Sequence, residues 1–337
     1  MHHVCLSSNQ PLPNLTPLAG GHLQASGVSI ITPPERKRHA LWFQRALQMT
    51  APQCPVHIVD MTTAYDLGEA MATLQRVAEA HPAGCTVNIT GGSKLLTLAA
   101  WQIFRRPNDR IFYVSPQEDA LLWLHPHAER EPVRDVLTLP AWLAAHGLEP
   151  MADAPPQRPD RAALKPAAEA ASATINRIAS AYERKDTRKA RGLSRGEGHW
   201  LEDYLAYHLA GVFLQQPDKR ARLQDISGPF KVCMIDQPSV INELDGVALY
   251  NNRLTLFEAK SGTDAEQSGA VDAIYKLSRL RDRLGGWISQ GVFISARKVS
   301  DDAKQRAAEY GVAVIDAPML PQLRRHIEAV LLKPNPI

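Results

Sequence analysis

Two apolar runs, residues 247–250 and 254–257, flank the pair Asn251-Asn252. Adjacent asparagines accept the positive φ of a two-residue hairpin turn, so this stretch is confined to two antiparallel strands. Both runs are apolar at consecutive positions, which suits strands covered on both faces. Asp245 opens the hairpin and Glu258-Ala259-Lys260 closes it. Strand residues two apart share a face, so Glu258 and Lys260 project together while Ala259 points away. Charged groups at the ends of buried strands need partners or a metal. Two carboxylates can hold a hard cation through oxygen, and an ammonium can orient water or neutralise a phosphate, which together suit metal-dependent phosphodiester hydrolysis. An ordinary hairpin carrying surface charges has the same composition, and Glu-x-Lys alone does not separate the two.

Upstream, Trp200, Leu201, Tyr204, Leu205, His208 and Leu209 recur at spacings of three and four, which predicts a helix with Glu202 in its first turn. His199 at its start reads as a cap or surface residue. In the first half of the chain, a β-branched strand over 86–90 runs into Gly91-Gly92-Ser93-Lys94 and then a helical stretch from Leu95. Strand, glycine turn and helix make a phosphate-binding geometry, because glycines let backbone N–H groups approach an anion at the positive end of a helix. The spacing is neither a P-loop nor Gly-x-Gly-x-x-Gly. A tight turn with a serine N-cap explains the same four residues. Ser8, Asn9 and Gln10 follow a first strand at 3–7, at the strand end where open α/β sheets bind ligands.

At 337 residues the chain is long enough for two domains, and 45% apolar content supplies two cores. Strand and helix patterns alternate up to about residue 150: strands at 28–31, 56–59 and 86–90, helices at 36–49, 64–80 and 94–105. Further strands are expected at 111–114, 121–124 and 133–137. This order predicts a parallel sheet with helices on both faces. A segment rich in Pro, Ala and charge follows, then a helix over 162–184, so the expected division is 1–150, a connection over 151–185, and 186–337. Beyond it, helix, strands, hairpin, helix, strand, helix, strand and helix predict a mixed sheet. No apolar run reaches the roughly 18 residues of a membrane span, and no secretory signal is expected at the start. Cys5, Cys54, Cys85 and Cys233 are scattered, which suits free thiols in a reducing cytoplasm. The net charge of +3 identifies no partner by itself. Arg177, Arg184, Lys185, Arg188, Lys189, Arg191 and Arg195 nevertheless cluster ahead of residue 200, as a phosphate-tracking surface or a solvated linker would.

The Asp245…Glu258-x-Lys260 pattern resembles the PD-(D/E)xK nuclease superfamily. Joined to Ser8-x-Gln10-Pro11, Pro13-Asn14 and Thr90-Gly91-Gly92-Ser93-Lys94, it resembles one family over nearly the whole chain. That family is the CRISPR-associated Rossmann-fold (CARF) nucleases, the cyclic-oligoadenylate-activated ancillary nucleases of type III CRISPR systems. Ile274 to Leu277 and Gly285-Gly286 belong to the resemblance, and Ser93 stands where the family usually has threonine. The resemblance implies a Rossmann-like parallel sheet followed by a restriction-endonuclease-like α/β domain, in a homodimer. Ser8, Asn9 and Gln10 would face riboses or bases of cyclic tetra-adenylate, and Thr90 to Lys94 would hold its phosphates. Asp245, Glu258 and the Ala259 carbonyl would bind Mg²⁺ or Mn²⁺. Glu202 would bind a second ion or position water, and Lys260 would stabilise developing charge. Gln267, Tyr275 and Lys276 could contact the scissile strand, and RNA or DNA would be cut with little sequence preference, supercoiled DNA being nicked. A constitutive repair or restriction-type endonuclease, and a non-catalytic nucleotide-sensing adaptor, are the alternatives.

Overall fold

In the computed structural model the chain divides into two units, Met1–Leu148 and Glu149–Ile337. The structure describes all residues except 22, 116–118, 134–135, 196–198, 215–222, 262–266, 285–288 and 333–337.

The first unit contains β1 (His2–Leu6), α1 (Leu12–Leu15), β2 (Val28–Thr32), α2 (Lys37–Thr50), β3 (Val56–Asp60), α3 (Leu67–Ala80), β4 (Cys85–Asn88), α4 (Lys94–Ile103), β5 (Arg110–Ser115), β6 (Ala120–His125), β7 (Glu129–Pro132) and α5 (Leu139–Ala145). A short β8 (Leu148–Pro150) spans the boundary and forms a three-stranded sheet with β10 (Phe230–Met234) and β11 (Gln237–Leu244) of the second unit, ordered β11-β10-β8. Within the first unit the sheet order is β3-β2-β1-β4-β5-β6-β7. Pairing is parallel from β3 through β5 and antiparallel from β5 to β7. Every residue of β1 and β2 is buried, as strands covered on both faces must be. Val4, Leu6 and Ile31 pack with Leu74 and Val77 of α3 and Leu96 and Ala99 of α4. α2 and α5 pack against each other.

The expected parallel sheet is present from β3 through β5 and carries an antiparallel edge, because only residues 116–119 join β5 to β6 and a parallel crossover needs a dozen or more. One expectation for this unit needs correction. The strand expected at 133–137 lies earlier, at β7. Val133 instead packs against the cluster of Phe112, Val114, Leu121 and Trp123. Thr138 then caps α5, its hydroxyl accepting from the Ala141 N–H.

The second unit runs α6 (Arg161–Glu183), α7 (Thr187–Leu193), α8 (Trp200–Leu214), β9 (Leu223–Ser227), β10 (Phe230–Met234), β11 (Gln237–Leu244), β12 (Gly246–Tyr250), β13 (Arg253–Lys260), α9 (Gln267–Arg283), β14 (Gln290–Ser295), α10 (Asp301–Glu309), β15 (Val312–Ile315) and α11 (Leu323–Leu332). Its five-stranded sheet is ordered β15-β14-β13-β12-β9, with β13 in the middle. β13 pairs antiparallel with β12 and parallel with β14. Asn251 and Asn252 both take positive φ, 51° and 53°, the conformation of a type I′ hairpin turn. Phe257 and Ala259 face one layer, packing with Leu205 and Leu209 of α8, Ile175 of α6 and Ile327 of α11. Strand alternation then turns Glu258 and Lys260 toward the opposite face. β10 and β11 form an antiparallel ribbon. The basic stretch after residue 184 is not all linker: Asp186 caps α7, accepting from the Lys189 N–H.

Candidate active site and ligand-binding loops

Asp245 occupies the single position between β11 and β12, and Gly246 pairs with Phe257 on β13. Asp245 therefore lies beside Glu258. Asp245 and Glu258 are 5% and 6% exposed, a burial that two carboxylates tolerate only with compensating charge or hydrogen bonds. Both are supplied locally. The Lys260 ammonium is 2.8 Å from Glu258 Oε1 and 3.6 Å from Asp245 Oδ2. The Ala259 N–H donates to Asp245 Oδ2 at 2.8 Å. Burial raises the Asp245 pKa, the Glu258 charge adds to it, and Lys260 and the Ala259 N–H oppose. Burial works against the Lys260 charge, but Glu258 and Asp245 outweigh it and raise its pKa.

Glu202 joins this group through the packing of α8. A Cβ on Gly246 would lie 3.1 Å from Leu205 Cδ2, so α8 rests directly on the residue after Asp245. Glu202 is one helical turn before Leu205, on the same face. Burial raises its pKa, His199 and Lys260 pull it down, and Glu243 pushes it up again. His199 Nδ1 is 2.5 Å from Glu202 Oε2. His199 and Glu243 are thus part of the acidic group's surroundings. Glu243 was legible as the residue two before Asp245, on the same strand face.

In the first unit, the sheet order places the β1 and β4 ends side by side, at the point where connections leave in opposite directions. Gly91 lies against β1: a Cβ there would stand 2.2 Å from the Leu6 carbonyl oxygen and 3.3 Å from Ser8 Cβ. The structure therefore brings Ser8–Gln10 and Thr90–Lys94 together. Several of these groups already have partners. The Ser8 hydroxyl donates to the Gln10 carbonyl and accepts from its N–H. Asn9 Oδ1 accepts from Arg36. The Thr90 hydroxyl donates to Asn88 Oδ1 and accepts from the Val114 N–H. The Ser93 hydroxyl donates to the Ala64 carbonyl and caps α4 by accepting from the Leu96 N–H. Gly92, at φ +81°, and Lys94 are exposed, and Gln10 Oε1 is buried with no partner among the described residues. Arg36 and Tyr65, the latter 79% exposed and next to Ala64, join this rim.

Residues 2–142 match the Card1 CARF domain family, and residues 188–333 match the Card1-like endonuclease domain family. The chain belongs to the CARF nucleases.

The CARF domain holds the loops after β1 and β4, and the nuclease domain holds the buried acids. Among solved structures, protein VC1899 from Vibrio cholerae is similar, with a TM-score of 0.77 and 20% identity over 98% of this chain and 97% of that one. Can2 from Sulfobacillus thermosulfidooxidans, solved in complex with cyclic tetra-adenylate, has a TM-score of 0.74 and 21% identity over 98% and 97%. A type III CRISPR defence DNA nuclease activated by cyclic oligoadenylate has a TM-score of 0.61 and 18% identity, over 89% of this chain and 46% of that one. At these identities the likeness is one of fold. A search of curated proteins finds no match.

In the nuclease domain, no group of three or more His, Cys, Asp or Glu side chains gathers at metal-binding spacing among the described residues. Two oxygen ligands with water completing the shell still fit Mg²⁺, which is commonly held by one or two carboxylates. Tyr275 is exposed and meets Tyr310 edge-on, with ring centroids 6.1 Å apart. Gly285-Gly286 and the Gln267 side chain lie outside the described residues. No described helix is long and apolar enough to cross a membrane.

Proposed function

We propose that this CARF nuclease is a metal-dependent endonuclease of antiviral type III CRISPR defence, switched on by cyclic oligoadenylate. The observation that carries this reading is the buried pair Asp245–Glu258 bridged by Lys260 at the end of the central strand. Asp245 and Glu258 would hold Mg²⁺ or Mn²⁺, with the Ala259 carbonyl as a further ligand and Glu202 at a second ion or a water. The cation supplies phosphate neutralisation and water activation. The Ala259 N–H fixes the Asp245 carboxylate in one orientation. Lys260 turns from the acids to the phosphate and stabilises the charge that develops there. Glu202, its pKa raised by burial, is suited to take a proton from the attacking water.

The activator is cyclic tetra-adenylate, and it binds where Ser8–Gln10 and Thr90–Lys94 meet. The solved complex of similar fold supports that choice of ligand. The backbone N–H groups of Gly91 and Gly92 and the Lys94 ammonium would receive phosphates, and Tyr65 offers an exposed ring for adenine. A twofold-symmetric ring is matched by two copies of the same loops, so the active species is a homodimer, acting in the cytoplasm. The activator must bind the active arrangement more tightly than the inactive one, or it shifts nothing. RNA and DNA are both cut with little sequence preference, and supercoiled DNA is nicked, since no base-reading module is recognisable.

The test incubates labelled single-stranded RNA, single-stranded DNA and supercoiled plasmid with Mn²⁺, each with and without cyclic tetra-adenylate. Cleavage only with the activator supports the reading. Equal cleavage without it identifies a constitutive nuclease, and no cleavage under any condition refutes the enzyme.

A further inference from the structure

The nuclease domain contains an open cleft of about 530 Å³ that none of Glu202, Asp245 and Glu258 lines. Its size lies within the roughly 300–1,000 Å³ of small-molecule sites, enough for a nucleotide unit rather than a lone ion. Arg191 from α7, and Arg297 and Lys298 from the segment after β14, line it. Thr187 and Ser300 add hydroxyls, and Asp301 is the single carboxylate in the lining among the described residues.

Three features give this cleft a ligand. First, the walls are fixed. Arg297 is 3% exposed, and its Nε donates to Ser194 Oγ at 3.0 Å, tying the β14 end to the end of α7. The Lys298 N–H donates to the Tyr182 hydroxyl at 3.1 Å, tying the same segment to α6. Second, the cations are available. Arg191 and Lys298 are exposed, and neither forms an ion pair among the described residues. Third, the cleft adjoins the acids through the sheet. Lys260 pairs with Ser295 across the parallel strands, and the Ala296 N–H donates to the Lys260 carbonyl at 3.0 Å. Arg297 is therefore the next residue along from the backbone that carries the reacting lysine. The two exposed cations, Arg191 and Lys298, against one described carboxylate suit a phosphodiester, which carries one negative charge per nucleotide.

We propose that this cleft is a backbone subsite of the nucleic-acid substrate, holding a phosphate adjacent to the scissile one; the proposal rests on the nuclease reading. The basic residues Arg184, Lys185, Arg188 and Lys189, all exposed along the chain's course from the end of α6 through α7, extend it outward. The strand would thus enter along α7, pass Arg191, Arg297 and Lys298, and present its next phosphate to Lys260.

Binding of a fluorescent single-stranded oligonucleotide, read by anisotropy over a KCl series, tests the subsite in the full chain carrying Glu258→Gln to prevent turnover. Adding Arg191→Ala and Lys298→Ala should weaken binding about tenfold and flatten the slope of log affinity against log salt by about 0.7 for each phosphate that is no longer neutralised. Cyclic tetra-adenylate should bind the variant as it binds its parent. An unchanged affinity and slope overturns the subsite, and so does a loss confined to cyclic tetra-adenylate. Circular dichroism melts check that the variant is folded, and single Arg191→Ala and Lys298→Ala chains replace the double variant if it is not. Because the assay reads binding without cleavage, its failure is separate from failure of the nuclease reading, which the plasmid and oligonucleotide cleavage assay decides.

Discussion

Asp245 does two opposed things at once. Its charge is held in a buried site beside Glu258, which the fold disfavours, and that is the arrangement a cation can exploit. Removing the charge should therefore separate stability from activity. Asp245→Asn keeps an acceptor for the Ala259 N–H but lifts the repulsion. We expect cleavage to be abolished and the melting temperature of the metal-free protein to rise by about 2–4 °C, the scale of ~1 kcal/mol in a domain of this size. A lower melting temperature would show that Lys260 pairing outweighs the repulsion. Glu258→Ala should also abolish cleavage. Lys260→Ala should lose activity on the order of 100-fold while still binding metal, as removal of one electrostatic donor does. Near-normal turnover in the Asp245 and Glu258 variants would refute the assignment. The three residues were legible because a two-residue turn brings them together within one hairpin. From the residues alone the place of Glu202 was legible only as a helix position, and the family resemblance is what set it with the acids. What brings it to the acids is the packing of Leu205 on Gly246, a long-range fact that no local pattern encodes.

At the scale of elements, the tightest constraint is the approach of the β4–α4 turn to the end of β1. The Cβ of Gly91→Ala would meet the Leu6 carbonyl oxygen at 2.2 Å, a backbone atom that cannot swing aside. The two loops must then part. We expect affinity for cyclic tetra-adenylate to fall by roughly 10-fold or more, in line with the ~1–3 kcal/mol of overpacking, with Asp245 and Glu258 untouched. Calorimetric titration measures it, and unchanged affinity would move the ligand elsewhere. The turn was readable because its glycines and serine cap are local signals. Other elements were less so. α7 escaped because its residues are mostly exposed and three of its seven are basic, with Ala190 its one fully buried side chain. β7 was displaced because Val133 and Leu137 carry an apolar pattern that serves loop packing and the entry to α5 rather than a strand. The antiparallel edge followed from connection length, which a strand-by-strand reading did not weigh.

For the whole molecule, acid should strike the CARF domain first. His2, His3 and His146 lie within it, and burial, with neighbouring charges, lowers their pKa values to about 4, about 3 and about 4. His208 is the comparable residue in the nuclease domain, lowered by burial to about 4. A depressed folded pKa means the unfolded chain takes protons first. The stability these histidines contribute is complete above about pH 6.5 and is lost as pH falls toward 4. Hydrogen exchange between pH 7 and pH 5 should show protection falling earlier at β1 and α5 than at β13. Uniform loss across both domains would contradict this. The same histidines sat in the sequence without any sign of burial, since only the packed elements around β1, α5 and α8 remove them from water.

Asp245 is also a joint. It alone separates the last residue of β11, in the β10–β11 ribbon, from the first residue of β12, in the five-stranded sheet. The ribbon is largely exposed along β11 and joins the five-stranded sheet at two places, residues 228–229 after β9 and Asp245 before β12, so a load placed on it has a lever arm and two pivots, one of them an acid. A tilt of the ribbon against the sheet is shared between the 228–229 connection and torsion at Asp245, whose carboxylate is tethered to β13 through Ala259. The gap between the two acids therefore depends on an angle between two bodies, and a force applied some strand-lengths away would reach the proposed site as a change in its bite.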